Sequence, residues 1–203
     1  MAECRGLGVR ELYVLLHLSR FGADYAGSVA RVSGMSLEEA GRALERLEEL
    51  GLAERRMGSA VKNTEAKLKL SHEVRKHHTY YVLTREGRRL ARSLRHGALE
   101  ECIDETLGRG AWRLLVLLRR AGYEHAVVLA RLMAMRLGEV QALLDALEAA
   151  GLVHHSRPRT LKARKRKAKP KRETRCLHRY YHLTRLGEML LRLAGGAEGR
   201  GDR

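Results

Sequence analysis

The sequence predicts a mainly α-helical protein with small β-hairpins (α+β), in which one domain occurs twice in tandem. Residues 58–87 reappear as residues 158–187, and roughly a third of the aligned pairs across the two halves are identical, with no insertion or deletion. Each half opens with helical periodicity and closes with a Tyr-Tyr strand followed by a Thr-Arg-x-Gly helix start. Duplication explains this agreement better than shared composition does.

Helical periodicity opens the first copy. Residues 9–21 place leucines on one stripe of a helix, and Gly22 is a stop signal. Residues 23–32 predict a second, shorter helix. The Ser33-Gly34 pair that follows is typical of the turn between the two helices of a helix-turn-helix.

The third helix begins with a capping box. Ser36 is a good N-cap and Glu39 follows three residues later, so each side chain can bond to the backbone N–H of the other residue. Gly51 marks the C-terminal stop. The positions predicted to face inward are Leu37, Ala40, Leu44 and Leu47.

A hairpin with a long basic connection follows the third helix. Residues 52–56 predict a short strand, residues 57–78 a basic arm and residues 79–83 a second strand. Thr84 then caps a last helix that runs to about Leu94. This order of elements is that of a winged helix, so we predict two tandem winged-helix (helix-turn-helix) domains with long basic wings.

The offset between the copies defines the predicted domains. They are placed at residues 7–95 and 107–195. Residues 96–106 form an acidic linker between them, and residues 196–203 are predicted to be a flexible tail because they are rich in glycine and charge.

The run KNTEAKLKLSHEVRKHHTYYVLTREG, preceded by LEELGL, resembles an archaeal winged-helix family of unknown function. In that family, Thr-Glu-Ala-Lys followed by Arg-Lys-His-His-Thr-Tyr-Tyr is a hallmark. The resemblance covers residues 9–95 well and residues 108–194 weakly, where His178, Tyr180 and Tyr181 remain of the later run. It implies the fold and a general link to nucleic acid, and it implies no particular activity.

The net charge of +16 and the isoelectric point of about 10.4 favour a polyanionic partner. The charge is uneven, because residues 1–100 carry +5 and residues 101–203 carry +11. A basic protein kept soluble by its charge is the alternative, and the uneven placement argues against it.

The cysteines and the hydropathy pattern bear on localisation. Cys4, Cys102 and Cys176 are odd in number and have no CxxC spacing, so no disulfide framework is expected. No apolar run approaches the ~18 residues of a membrane span, and no signal peptide is recognised at the N-terminus. We therefore predict a cytoplasmic protein, associated with the nucleoid or the ribosome, with no membrane partner.

The third helix of each copy is where a winged helix usually reads the major groove. Its outer face is net acidic in both copies, which argues against base-specific recognition in the major groove. A solvated face with i,i+4 ion pairs such as Glu38–Arg42 is an equal alternative. The residues able to read bases are Arg42, Arg46, Arg136 and Gln141.

The wings carry the strongest functional signal. The second wing contains eleven basic residues and one acidic residue, a composition that favours phosphate binding over a solvated loop. They are Arg157, Arg159, Lys162, Arg164, Lys165, Arg166, Lys167, Lys169, Lys171, Arg172 and Arg175. The first wing is milder and suits a specific contact, through Lys62, Lys67, Lys69, Arg75, Lys76 and His78.

Tyrosines and histidines stand near each wing. Adjacent residues of a strand point to opposite faces, so in each of the pairs Tyr80-Tyr81 and Tyr180-Tyr181 one tyrosine is expected to pack on the core and the other to face out. An outward tyrosine can stack on an unpaired base; core packing or hydrogen bonding of the hydroxyl is the alternative role. Tyr80 is the chosen candidate. A second set matches no zinc spacing, so no metal is predicted there: His154, His155, Cys176, His178 and His182.

No motif for catalysis or for a cofactor is recognised, so the protein is not expected to be an enzyme, to need a cofactor or to use a small-molecule substrate. The first hypothesis is a duplex-DNA-binding transcription regulator or chromosome-associated factor that uses its wings as phosphate clamps. RNA or the ribosome is the alternative partner, with the basic arm inserted between RNA helices. A protein-interaction module is the third. Both a monomer and a homodimer are compatible with the sequence.

Overall fold

A computed structural model describes residue 4 and residues 6–57, 78–156 and 179–195. The chain divides into two compact units, Met1–Thr106 together with Met189–Arg203, and Leu107–Glu188. The first copy contains α1 (Val9–Phe21), β1 (Ala23–Asp24), α2 (Ala26–Ser33), α3 (Leu37–Glu49), β2 (Ala53–Met57), β3 (Thr79–Leu83) and α4 (Arg85–Ser93). A kink at Leu94–Ala98 and α5 (Leu99–Leu107) follow. The second copy contains α6 (Ala111–Ala121), β4 (Glu124–His125), α7 (Ala126–Met133), α8 (Leu137–Ala149), β5 (Val153–Ser156), β6 (Tyr180–Leu183) and α9 (Arg185–Ala194).

Each copy has a three-stranded antiparallel sheet, in the orders β1-β3-β2 and β4-β6-β5. The central strand is therefore the one that follows the basic stretch of the sequence. In the first copy Ala53 pairs with Leu83 and Met57 with Thr79. In the second, Val153 pairs with Leu183 and Ser156 with Tyr180. The predicted class, mainly helical with small antiparallel sheets, is confirmed.

Two details of the predicted helices are wrong. Residues 23–24 form a strand instead of the start of the second helix, because Ala23 pairs with Val82 at the edge of the sheet. Leu37 is 63% exposed instead of inward, since it lies in the first turn of α3, beyond the packed stripe. The other three residues of that stripe are fully buried, and the Ser36–Glu39 capping box is present with both hydrogen bonds.

A repeated contact explains why Thr-Arg-x-Gly occurs in both copies. The Thr84 hydroxyl donates to the Gly51 carbonyl (2.7 Å) and accepts from the Gly87 backbone N–H (3.1 Å). A Cβ on Gly87 would overlap the Leu52 carbonyl, so a side chain cannot be accommodated there. The second copy repeats this arrangement one hundred residues later. The motif thus fixes the start of the last helix against the turn that precedes the hairpin.

A buried polar network distinguishes the first copy. His17 Nε2 lies 2.8 Å from Asp24 Oδ2, and the Ser28 hydroxyl donates to the same oxygen at 2.9 Å. The Tyr13 hydroxyl lies 3.3 Å from His17 Nδ1. All four residues are buried. The aligned residues of the second copy include Leu117 and Val128, so this network belongs to the first copy alone.

The expectation that the cysteines form no disulfide is wrong. Cys4 and Cys102 are joined, with their Cα atoms 5.8 Å apart and 98 residues apart in the sequence. Both are buried. A pairing across so long a separation leaves no sequence spacing to recognise, and it removes one of the premises on which the predicted cytoplasmic location rests.

Candidate nucleic-acid interface

The predicted phosphate-binding residues lie mostly in two segments that join neighbouring antiparallel strands. We call residues 58–77, between β2 and β3, the first connecting segment, and residues 157–178, between β5 and β6, the second. Their residues lie outside the described part of the chain. They include Lys62, Lys67, Lys69, Arg75, Lys76, Arg157, Arg159, Lys162, Arg164, Lys165, Arg166, Lys167, Lys169, Lys171, Arg172 and Arg175, as well as Cys176 and His178.

The structure does describe where the first connecting segment joins the sheet. His78, the residue that enters β3, packs edge-on against Tyr25 with ring centroids 4.5 Å apart. Tyr25 in turn packs edge-on against Tyr80 at 5.5 Å. On the other strand, Met57 is 59% exposed. His78 is therefore held by aromatic packing at the base of the connection.

The arginines of α3 are engaged by neighbouring glutamates. Arg42 lies 3.6 Å from Glu38, and Arg46 lies 2.9 Å from Glu49. Both arginines are solvent-exposed on the helix surface. Such exposed pairs contribute little to stability, but each carboxylate opposes the approach of a phosphate to its arginine. The predicted i,i+4 ion pair between Glu38 and Arg42 is present.

The two candidates on the second copy have different settings. Arg136 precedes α8, and its backbone N–H donates to the Glu139 carboxylate at 2.8 Å. The Arg136 side chain has no acceptor atom, so it cannot complete the capping box as Ser36 does in the first copy. Gln141 lies on the exposed face of α8, where it lines a cavity.

Both tyrosines of each pair are buried, so the expectation that one of them faces out is wrong. Tyr80 and Tyr180 are 0% and 2% exposed, and they pack edge-on against aromatic rings at the sheet edge. Tyr81 is 7% exposed because Arg55 lies over its ring at 5.6 Å. Burial raises the pKa of the Tyr81 hydroxyl. A fully buried Tyr80 is not available to stack on a base.

Three histidines lie together on the second hairpin. His154 and His182 are direct cross-strand partners with ring centroids 5.5 Å apart. His155 Nδ1 lies 2.7 Å from Glu148. Burial, followed by the charge of His154, lowers the pKa of His182. Within the described ranges, no group of three or more His, Cys, Asp and Glu side chains is arranged to hold a metal ion.

The same position carries a permanent ion pair in the first copy. There Arg55 Nε donates to Glu48 at 2.6 Å, where the second copy has His155 and Glu148. Arginine carries a permanent charge. The two hairpins therefore share a contact in which a basic side chain lies against a glutamate, with arginine in the first copy and histidine in the second.

A cavity of about 330 Å³ opens beside α8 of the second copy. It is lined by His125, Ala126, Val127, Leu137, Gln141, Asp145, Arg179 and Tyr181. Among these residues, the sequence predicts only Gln141 as a nucleic-acid contact. Leu137, Gln141 and Asp145 recur every four residues and so share one helix face, which is a readable signal, but the approach of Arg179 and Tyr181 depends on the hairpin.

Comparison with known proteins identifies the family. The sequence profile of DUF2250, described as an uncharacterized protein conserved in archaea, matches residues 7–94 and again residues 106–194. The chain belongs to this family and carries its domain as a tandem repeat. Comparison with curated proteins and with solved structures gives no match. Across the described residues, no helix is both long enough and apolar enough to cross a membrane.

Proposed function

We propose that this chain is a non-enzymatic nucleic-acid-binding protein of the winged-helix type, whose two connecting segments hold phosphates. The observation that carries this proposal is where the charge lies. The two segments hold sixteen Lys and Arg residues and three acidic ones, a net charge of +13 out of the +16 of the whole chain. A separation of this kind, between a nearly neutral folded body and strongly basic connections, is the electrostatic footprint of a polyanion-binding surface.

The order of helices and strands, three helices followed by an antiparallel hairpin and a further helix, favours duplex DNA as the polymer. In this arrangement the connecting segments are the wings. They would contact phosphates on either side of the groove and position the protein without reading sequence.

Structured RNA is the second candidate, and a specific observation favours it. Arg42 and Arg46 are each paired with a glutamate of α3, so the helix expected to enter a major groove presents a net-acidic surface. RNA is recognised through shape, phosphates and unpaired bases, and needs no helix in a deep, narrow groove.

The distribution of lysine provides a sharp test. All nine lysines of the chain lie in the two connecting segments, and the described part contains arginine and histidine but no lysine. Acetylation of lysines with an amine-reactive reagent therefore removes nine of the sixteen positive charges of the segments, together with that of the terminal amine. It lowers the net charge of the segments from +13 to +4 and leaves every described ion pair intact. Binding to a DNA duplex and to a structured RNA should be measured over a salt series before and after acetylation.

We expect acetylation to weaken binding and to flatten its salt dependence, since the slope of log K against log salt is about −0.9 per phosphate contact on duplex DNA and about −0.7 on single strands. Unchanged circular dichroism is the control for folding. Binding that keeps its affinity and its slope after the net charge of the segments has fallen from +13 to +4 would show that the charge of the segments does not hold the phosphates, and would refute the proposal. Binding to RNA but not to DNA would exclude duplex DNA as the partner.

A further inference from the structure

The cavity beside α8 has a lining of two kinds, apolar and polar. Its volume of about 330 Å³ is at the lower end of the range of small-molecule sites, roughly 300–1,000 Å³. The apolar part is formed by Ala126, Val127 and Leu137. Val127 and Leu137 are 41% and 42% exposed, so this apolar surface is open to a flat ring.

The polar part of the lining brings a cation and an anion to the same cavity. Arg179, Asp145 and Gln141 are exposed, and Tyr181 is buried. Burial raises the pKa of Tyr181, the charge of Arg179 and a hydrogen bond with it act in the opposite direction, and the Asp145 carboxylate adds to the rise. Arg179 and Asp145 therefore both line the cavity beside Tyr181.

We propose that this cavity binds one unpaired guanine base of the nucleic acid held by the connecting segments. Among the four bases, guanine alone has two adjacent acceptors on one edge, N7 and O6, and two adjacent N–H donors on another, N1 and N2. A guanidinium matches the first edge and a carboxylate the second. Arg179 and Asp145 supply these groups, and the donor edge is accessible only when guanine is unpaired.

The first copy shows what this specificity requires. The residues aligned with Asp145, Gln141 and Arg179 are Glu45, Gly41 and Thr79. A carboxylate is retained, but the guanidinium and the amide are replaced by groups that cannot reach a base edge. We therefore assign guanine binding to the second copy alone. Because the first copy has threonine at the position of Arg179, Arg179→Thr is a substitution that this fold accepts.

This inference rests on the proposed function, which supplies the nucleic acid that carries the guanine, so the test begins with single nucleotides. Guanosine 5′-monophosphate, its adenine, cytosine and uracil counterparts, inosine 5′-monophosphate and 7-deazaguanosine 5′-monophosphate are titrated into the full-length chain by ligand-observed NMR. We expect guanosine monophosphate to bind at least about fivefold more tightly than the other standard nucleotides, the lower limit for one bidentate contact. Loss of the N2 amine in inosine, or of N7 in 7-deazaguanosine, should each reduce binding.

The variants Asp145→Asn and Arg179→Thr should abolish this preference, while Glu45→Gln in the first copy should leave it unchanged. Equal binding of all four bases, or no binding of guanosine monophosphate, overturns the proposal. Oligonucleotides of DNA and RNA that differ only in one unpaired guanine then identify the source of the base. Lysine acetylation should weaken oligonucleotide binding and leave nucleotide binding unchanged, so failure of the proposed function and failure of the guanine site give different results.

Discussion

Replacement of Gly87 by alanine tests whether the repeated Thr-Arg-x-Gly contact holds each hairpin. A Cβ at this position would overlap the Leu52 carbonyl oxygen and lie 3.3 Å from Leu83 Cδ2. The Leu52 carbonyl accepts the Thr84 backbone N–H at 3.1 Å, and the Thr84 side chain bonds to both the Gly51 carbonyl and the Gly87 N–H. A backbone oxygen cannot rotate away as a side chain can, so α4 must separate from the turn.

The cost follows from the bonds that this separation breaks. The two hydrogen bonds from Thr84 to the turn contribute about 0.5–1.5 kcal/mol each, and the helix cap contributes about 0.5–2 kcal/mol. Alanine recovers up to about 1 kcal/mol through its higher helix propensity. We therefore expect a net loss of about 2 kcal/mol in the free energy of unfolding, equivalent to a fall of about 8–16 °C in Tm for a unit of this size.

Gly41 provides the matched control, because it is also a helical glycine of the first copy and a Cβ there meets nothing within 4 Å. Gly41→Ala should raise stability by up to about 1 kcal/mol. Thermal unfolding followed by circular dichroism compares the two variants with the parent chain. If Gly87→Ala were as stable as Gly41→Ala, the contact would not constrain the fold and the reasoning would be refuted.

Three further predictions concern groups described above. His17→Leu, which introduces the residue of the second copy, should cost about 1–3 kcal/mol in urea unfolding because it removes a hydrogen-bond partner of the buried Asp24 carboxylate; an unchanged midpoint would contradict this. The lowered pKa of His182 means that the folded chain binds this proton less readily than the unfolded chain, so stability should fall as the pH drops below about 6.5, and His182→Val should reduce that fall in unfolding curves measured across the transition. A reductant, or Cys102→Ser, should lower Tm in melts by the equivalent of about 4–5 kcal/mol, and equal melts with and without reductant would exclude the disulfide.

Much of the helical framework can be predicted from local sequence. The bounds of α1, the capping box of α3 and the strand of residues 79–83 follow from periodicity and from turn chemistry, which act within a few residues. The short edge strand at Ala23–Asp24 could not be predicted, because a two-residue strand has no periodicity and exists only through its pairing with β3. The exposure of Leu37 could not be predicted, because the apolar stripe of a helix does not show how far along it the neighbouring helix extends.

The candidate site divides in the same way. Sequence by itself determined that the chain is a tandem duplication and that its positive charge lies between paired strands, because both are properties of residue order. Only the tertiary structure decided that both tyrosines of each pair are covered, that Arg42 and Arg46 are engaged by glutamates, and that Arg179 and Asp145 line one cavity. These facts depend on which side chains cross from one element to another, and such contacts join residues far apart in the chain.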